Sequence, residues 1–468
     1  MSERKSQKKR RKRIKIMVKT MYVLLLLTLI LGVTGHIVQK RTQGTDREKT
    51  SSEREKVSLQ DEDDGYREGS VEDKTVEELS GEKGEDVRIR EDIGPSEEAE
   101  EAFAEETEGE EEQDRQPDTT EEKADQILEN MTLHEKICQM LLVTPETLTG
   151  VGTVTAAGET TRKSLEANPV GGVILFENNI TDREQTTQML ANLKAYMRQI
   201  NGVEPFIAVD EEGGRVARVA KKLGTSSLSP MYTYREEGTQ KAYENAAIIG
   251  RDIADIGFNL DFAPVADTWS NPSNKVIGER AYSDDFGQAS ELVAAAVEGF
   301  HSANMICTLK HFPGHGDTAE DSHAGSAYCN KTLEQLWAEE LRPFQAGIRA
   351  GADMIMTGHI TLPEIDSLPA SLSEKVIGNL LRQKLEYDGV VITDSLSMKA
   401  LTDLYGFDKI AVMAVKAGND LLLCQNGMST MISALENAVN SGEITEERIN
   451  ESVRRILALK EKYGMLER

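Results

Sequence analysis

The densest concentration of groups able to move protons is Lys310–Ser326, KHFPGHGDTAEDSHAGS, which sets three histidines and three carboxylates among glycines. A loop so rich in donors, acceptors and proton carriers is seldom only a connector. Within it Asp321 stands two residues before His323. In extended backbone, residues i and i+2 project to the same side, so the carboxylate can hold the imidazole N–H. That pairing fixes the tautomer and raises the basicity of a ring whose free pKa is about 6.5, giving a general acid/base suited to neutral pH. The DxH spacing alone is weak. Any one of these histidines, His315 in particular, can equally be a loop residue making a structural hydrogen bond.

Two further segments carry chemistry. In Gly389–Met398, GVVITDSLSM, Asp394 closes an apolar strand-like run. A carboxylate there can act as a nucleophile toward an electrophilic carbon, or simply cap the helix that follows. In Ala208–Arg218, AVDEEGGRVAR, Asp210, Glu211 and Glu212 stand on a glycine turn beside Arg215 and Arg218. These groups can grip the hydroxyls of a polyol, or pair with one another on the surface. The Gly-Gly step is not a phosphate loop, because neither GxxxxGK[ST] nor GxGxxG follows the strand. His311, His315, Asp317, Asp321, His323 and His359 could in principle ligate a metal, but no HxH pair follows a first strand and HEXXH is missing. Neither a metal nor an organic cofactor is therefore expected.

The elements that must position these groups alternate. Strand-like runs are expected at Ile137–Val143, Gly172–Phe176, Pro205–Val209, Asn259–Pro264, Ile306–His311, Met354–His359, Val390–Asp394 and Asp420–Cys424. Amphipathic segments lie between them, at Asp182–Ile200, Lys241–Ile256, Ala289–Asn304, Leu333–Arg349, Ser373–Leu385, Lys399–Ala417 and Thr445–Tyr463. Near-continuous apolar strands separated by helices point to a parallel sheet covered on both faces. Eight such units favour an α/β architecture closed as a single (β/α)₈ TIM-type barrel over an open doubly wound sheet. Asp210, Asp267, Lys310–His311, His359 and Asp394 all fall at C-terminal strand ends, the rim where a barrel builds its chemistry.

The chain has 468 residues and a formal net charge of −27. Much of that charge sits in a polar acidic tract, expected to stay disordered over residues 39–120, which cannot bury enough apolar surface to offset the entropy of ordering. An acidic balance of this size argues against nucleic acid as a partner. Residues 1–19 include KKRRKR and read as a basic cytoplasmic tail. Residues 20–38 are apolar, about 19 residues or roughly 28 Å of helix, the thickness of a bilayer core. This segment reads as an uncleaved transmembrane signal anchor, with a cleaved signal peptide as the alternative, and it places the rest of the chain outside the cell. The folded part is then 121–468, held off the membrane by the acidic tether. Cys138, Cys307, Cys329 and Cys424 show no CxxC or Cys/His ligand spacing and read chiefly as small buried hydrophobes.

KHFPGHGDT with DSH downstream, VDEEGGRVARV and GVVITDSLSM together resemble glycoside hydrolase family 3, and within it the bacterial β-N-acetylhexosaminidase subgroup. NLDFAPVADT and Ile277–Tyr282, IGERAY, are similar to further elements of the family, so the likeness spans residues 121–468. The resemblance implies a retaining double displacement. Asp394 would be the nucleophile, His323 the acid/base and Asp321 its orienting partner, in place of the usual two carboxylates. Carried over by position, Asp210, Arg218, Arg280, Lys310 and His311 would bind the sugar of the −1 subsite. The subgroup implies a β-N-acetylglucosaminidase acting on carbohydrate, with muropeptides the expected substrate of an exported enzyme; a monomer is expected, although nothing in the sequence fixes the oligomeric state. Many glucoside-cleaving relatives carry a second domain that supplies an acidic acid/base. The chain ends at Arg468, soon after the eighth unit, and DSH already supplies that partner. Both points favour N-acetylglucosaminides over glucosides. A β-glucosidase, or a phosphorylase of the same fold, stays open.

Overall fold

The computed structural model describes residues 119–319 and 325–467. Eight short parallel strands form its centre: β1 Leu141–Val143, β2 Gly172–Ile174, β3 Phe206–Val209, β4 Leu260–Asp261, β5 Ile306–Phe312, β6 Met354–Thr357, β7 Val390–Thr393 and β8 Leu422–Cys424. They are hydrogen-bonded in the order β7-β6-β5-β4-β3-β2-β1-β8. An isolated parallel bridge, Ile392 to Leu421, spans the remaining seam, so the sheet is a nearly closed barrel. The strand residues are buried without alternation, as strands must be when helices cover one face and barrel side chains fill the other.

The helices form where caps and periodicity agree. Asp182 accepts from the Gln185 amide at 2.9 Å to start Arg183–Asn201, and Gly202, at φ 72°, ends it. Thr445 starts Glu446–Lys462 in the same way. Phe206, Phe262, Phe300, Phe312 and Phe344 are fully buried, with Phe312 and Phe344 edge to face at 5.3 Å between ring centroids. Each contributes about 1.5–3 kcal/mol of burial free energy.

Four sequence expectations need correction. The run Ile137–Val143 begins as helix: Thr132 and Glu135 form a reciprocal capping box that starts Leu133–Gln139, leaving Leu141–Val143 as strand. The segment Leu333–Arg349 is two helices, Leu333–Ala338 and Leu341–Arg349. The break falls where Glu340 turns inward to meet Lys331 at 2.7 Å, and Pro343 is tolerated in the new first turn. Lys399–Ala417 also divides, into Lys399–Thr402 and Phe407–Ala417, with Gly406 at the second start. Ser373–Leu385 shortens to Lys375–Lys384, wound with the wider i→i+5 bonding of a π-helix. A further helix, Met428–Asn440, was not anticipated. All four cysteines are buried and unpaired. Among the described residues no helix is long and apolar enough to cross a membrane. The expected anchor at 20–38, the tail at 1–19 and the tether at 39–120, but for its last two residues, which begin the helix Thr119–Asn130, lie outside the described residues, as do Asp321 and His323.

Candidate active site

A cleft of ≈ 700 Å³ opens at the C-terminal ends of the strands, and Asp210, Arg218, Arg280, Lys310, His311 and Asp394 all line it. Residues drawn from β3, β5, β7 and the excursion after β4 are therefore brought together, as the strand-end register requires.

Asp394 follows directly on β7. Its amide donates to the Thr357 carbonyl at 2.9 Å, and its Oδ1 accepts from the Ser395 amide at 2.7 Å. The helix downstream begins at Lys399 with Met398 in the cap position, so Asp394 is not an N-cap. Its carboxylate, half-buried, lines the cleft instead.

Asp210 follows β3 in the same way. Its Oδ1 accepts from Lys310 Nζ at 2.9 Å and its Oδ2 from Arg218 Nη2 at 3.0 Å. Beside it the chain turns back as a two-stranded hairpin, Glu211–Gly213 with Val216–Ala217. The turn needs glycine: Gly213 and Gly214 have φ of 93° and 54°, and a Cβ on Gly214 would lie 2.9 Å from the Pro230 Cα. This hairpin puts Glu212 behind Lys310. The Glu212 carboxylate takes both Arg280 Nε and Nη2 at 2.7 Å, and Lys310 Nζ at 2.6 Å. Within DEEGGRVAR only Asp210 and Arg218 pair with one another; Glu212 is paired by Arg280 and Lys310 from elsewhere in the chain, and exposed Arg215 donates to the Lys275 and Ile277 carbonyls. Burial alone would raise the Asp210 carboxyl, yet Lys310 and Arg218 outweigh it and hold it below the ordinary carboxylate range. Glu212 too is held well below the ordinary carboxylate range, with burial overcome by Arg280 and Lys310. Lys310 stays protonated despite burial because two carboxylates face it. Three cations against two carboxylates leave this cluster with one net positive charge, in the cleft that Asp394 also lines.

Glu211 plays a different part. Its carboxylate accepts from the Val219 and Ala220 amides at 2.7 and 3.0 Å, capping the helix Arg218–Leu223 and thereby setting Arg218. Burial pushes its pKa up to about 7. Asp261 lies next to it, wholly buried, donated to by the Glu211 amide at 3.0 Å and raised well above the carboxylate range by burial.

The histidines divide. His311 Nδ1 bonds Asp267 Oδ2 at 2.7 Å, while the His311 and His315 amides both donate to Asp267 Oδ1, at 3.1 and 2.7 Å. Asp267 thus sets the His311 tautomer and leaves Nε2 for the cleft. His315 also lines the cleft, and burial lowers its pKa; its Nδ1 meets Thr318 Oγ1 at 2.6 Å. His359 does not line it: its ring nitrogens bond Ser371 Oγ and the Ser395 carbonyl, both at 2.8 Å, as a strut beneath the Asp394 turn. The loop is stapled by Asn274 Nδ2 to the His315 carbonyl at 2.7 Å and Asn271 Nδ2 to that of Asp317 at 3.1 Å. Gly316 packs so closely that a Cβ would meet the Thr268 carbonyl oxygen at 1.6 Å. Among the described residues, the one His/Cys/Asp group with ligand atoms within 4.8 Å of one another is His301, Cys307 and Asp353, at the opposite end of the barrel.

Sequence reasoning did not assign roles to Glu212 and Asp267. Asp267 had a signal, its place in the strand-end register. Glu212 had none to separate it from Glu211, since its partners are 68 and 98 residues away along the chain.

A parallel α/β barrel thus gathers a carboxylate, a buried cationic cluster and ring nitrogens around one rim cleft. Residues 132–459 match the glycosyl hydrolase family 3 N terminal domain, and the chain belongs to that family. It is 33% identical over 319 residues to beta-hexosaminidase A of Pseudoalteromonas piscicida, covering 63% of this chain and 53% of that protein. It is 37% identical over 269 residues to beta-hexosaminidase of Stenotrophomonas maltophilia strain K279a, covering 56% and 78% respectively. The fold is similar to a glycoside hydrolase family 3 beta-N-acetylglucosaminidase from Paenibacillus sp. str. FPU-7, with TM-score 0.68 and 38% identity, over 72% of this chain and 63% of that one. The chain therefore spans about half the length of the first of these relatives.

Proposed function

We propose that this barrel is a retaining β-N-acetylglucosaminidase that removes terminal β-linked N-acetylhexosamine. The observation that carries the reading is the placement of Asp394: a half-buried carboxylate at the end of β7, lining the same cleft as the Asp210–Lys310–Glu212–Arg280 network. Asp394 attacks the anomeric carbon and forms a glycosyl-enzyme. His323, oriented by Asp321, protonates the leaving oxygen and then deprotonates the incoming water. Asp210 accepts from ring hydroxyls, and Lys310, Arg218, Arg280 and His311 Nε2 donate or accept at the remaining positions. The family motif supports the dyad, and the relatives named as hexosaminidases support the sugar.

The substrate in this reading is peptidoglycan fragments. Exposed Arg215 and Lys275 line the cleft and give a cationic edge to a protein of net charge −27, which suits a leaving group bearing carboxylates. The apolar segment 20–38 supports an anchor that keeps the barrel outside the cell, with 39–120 as its tether. Protease added to intact cells is then expected to remove the barrel.

The test is hydrolysis of the 4-nitrophenyl β-glycosides of N-acetylglucosamine and glucose by the full chain, beside Asp394→Asn. Preference for the N-acetyl sugar, lost in the variant, is the expected result. Equal cleavage of the glucoside would overturn the specificity. Cleavage of chitobiose without release of N-acetylglucosamine from muropeptides would overturn the substrate.

A further inference from the structure

Lys310 and Arg280 both carry positive charge into one small volume of the cleft wall, and each is long and flexible enough to miss its mark. Lys310 is 2% exposed in its side chain and Arg280 11%. Two buried cations at such close range repel, and neither can be left without an acceptor at a cost below several kcal/mol. Glu212, with 1% exposure, lies between them. One oxygen, Oε1, accepts from Arg280 Nη2 at 2.7 Å and from Lys310 Nζ at 2.6 Å, while Oε2 accepts from Arg280 Nε at 2.7 Å. The guanidinium is gripped in bidentate fashion, which fixes its plane as well as its position. Its remaining nitrogen, Nη1, is tied to the Val276 carbonyl at 3.1 Å. The Lys310 ammonium is held from two sides, by Glu212 and by Asp210.

We propose that Glu212 is a positioning residue for the glycosidase reaction: its buried carboxylate sets Lys310 and Arg280 so that both present their donors to one sugar ring. The proposal rests on the reading of the cleft as the −1 subsite. Glu212 acts through the two cations rather than by meeting the sugar, and it comes from the hairpin rather than from a barrel strand. The turn at Gly213–Gly214 therefore serves the site by returning the chain at the depth where one carboxylate spans both cations. A donor misplaced by about 1 Å costs on the order of 10²-fold in rate.

The charged and titratable groups facing Lys310 are Asp210, Glu212, Arg280 and Asp261, and Tyr282 also faces Glu212. When Glu212 is made neutral, burial and Arg280 work on Lys310 against one remaining carboxylate in contact, so its proton is lost at lower pH. Glu212→Gln is expected to lower kcat/KM about 10²-fold and to lower by one unit or more the pH at which the Lys310 ammonium loses its proton, read by NMR of side-chain-labelled lysine. Glu212→Asp keeps the charge, and is expected to return the Lys310 titration toward its wild-type place and recover part of the rate. Should Glu212→Gln fail to fold, Glu212→Ser, which is neutral and leaves room for water, is read for the same titration. An unmoved Lys310 titration overturns the proposal, as does a kcat/KM that is unchanged in the Gln variant or falls equally in the Gln and Asp variants. Asp394→Asn run alongside keeps the two readings apart. Activity surviving there sinks the site assignment, whereas its loss beside a wild-type Glu212→Gln sinks only the role of Glu212.

Discussion

The two ends of the barrel are built from the same materials and use them differently. At the N-terminal end, Asp353 accepts from His301 Nε2 at 2.9 Å, Lys462 Nζ at 2.6 Å, Tyr463 OH at 2.8 Å and the Cys307 amide at 3.2 Å. Asp420 there accepts from Arg382 Nη2 at 2.5 Å, Ser452 Oγ at 2.7 Å and the Val391 amide at 2.9 Å. These carboxylates spend their acceptors within the fold. At the C-terminal end, Asp210, Lys310 and Arg280 line a cleft of ≈ 700 Å³ with Asp394. A buried charge whose partners close around it contributes stability or specificity of fold; one whose partners leave a side open to a cavity can serve a ligand.

Exchanging the roles experimentally would break that contrast. The largest effect is expected from Asp394→Asn, which should lower kcat/KM by about 10⁴-fold or more with little change in the urea midpoint. A parallel loss of stability would mean that Asp394 is structural. Next comes Asp420→Ala, which leaves Arg382 and Arg455 without their buried acceptor. Unfolding free energy should fall by about 3–5 kcal/mol, while activity per folded molecule at low temperature is retained.

Lys460 gives a smaller, pH-dependent effect. It lies wholly buried with Nζ 2.9 Å from Gln139 Oε1 and 4.9 Å from the Phe206 ring centroid, and burial pushes its pKa down to about 7. A base whose folded pKa is depressed below its unfolded value near 10.4 binds fewer protons when folded, so stability rises as pH goes from about 7 toward 10. Lys460→Met should flatten that slope and add about 1 kcal/mol at pH 7, read from urea melts at pH 7 and 9. The smallest change is expected for Asp261→Asn. Burial raises the Asp261 carboxyl well above the usual range and so favours its neutral form, which the amide replaces nearly isosterically. Stability within about 1 kcal/mol and near-wild-type turnover should follow; a large loss of turnover would give Asp261 a charge-bearing role.

Much of the rim was legible because a barrel ties function to strand ends. Asp210, Lys310, His311 and Asp394 each follow or close an apolar run, an address that put all four at the mouth, while His359 at the same address turns beneath the Asp394 loop. Element boundaries were read less well where a local signal overrode apolar content. The Thr132–Glu135 capping box turned the first part of an expected strand into helix, and Glu340, drawn inward by Lys331, split an expected helix.

By itself the sequence determined the alternation of strands and helices, and with it the closed parallel sheet, the family and the side of the sheet on which the chemistry lies. These follow from periodicity and local chemistry, which act over a few residues. Only the tertiary structure decided which charges meet: Glu212 with Arg280 and Lys310, Asp267 with His311 and His315, His359 beneath Asp394 rather than in the cleft. Such pairings span tens of residues along the chain, and their energy depends on burial and on distances of a few ångströms, which packing alone settles.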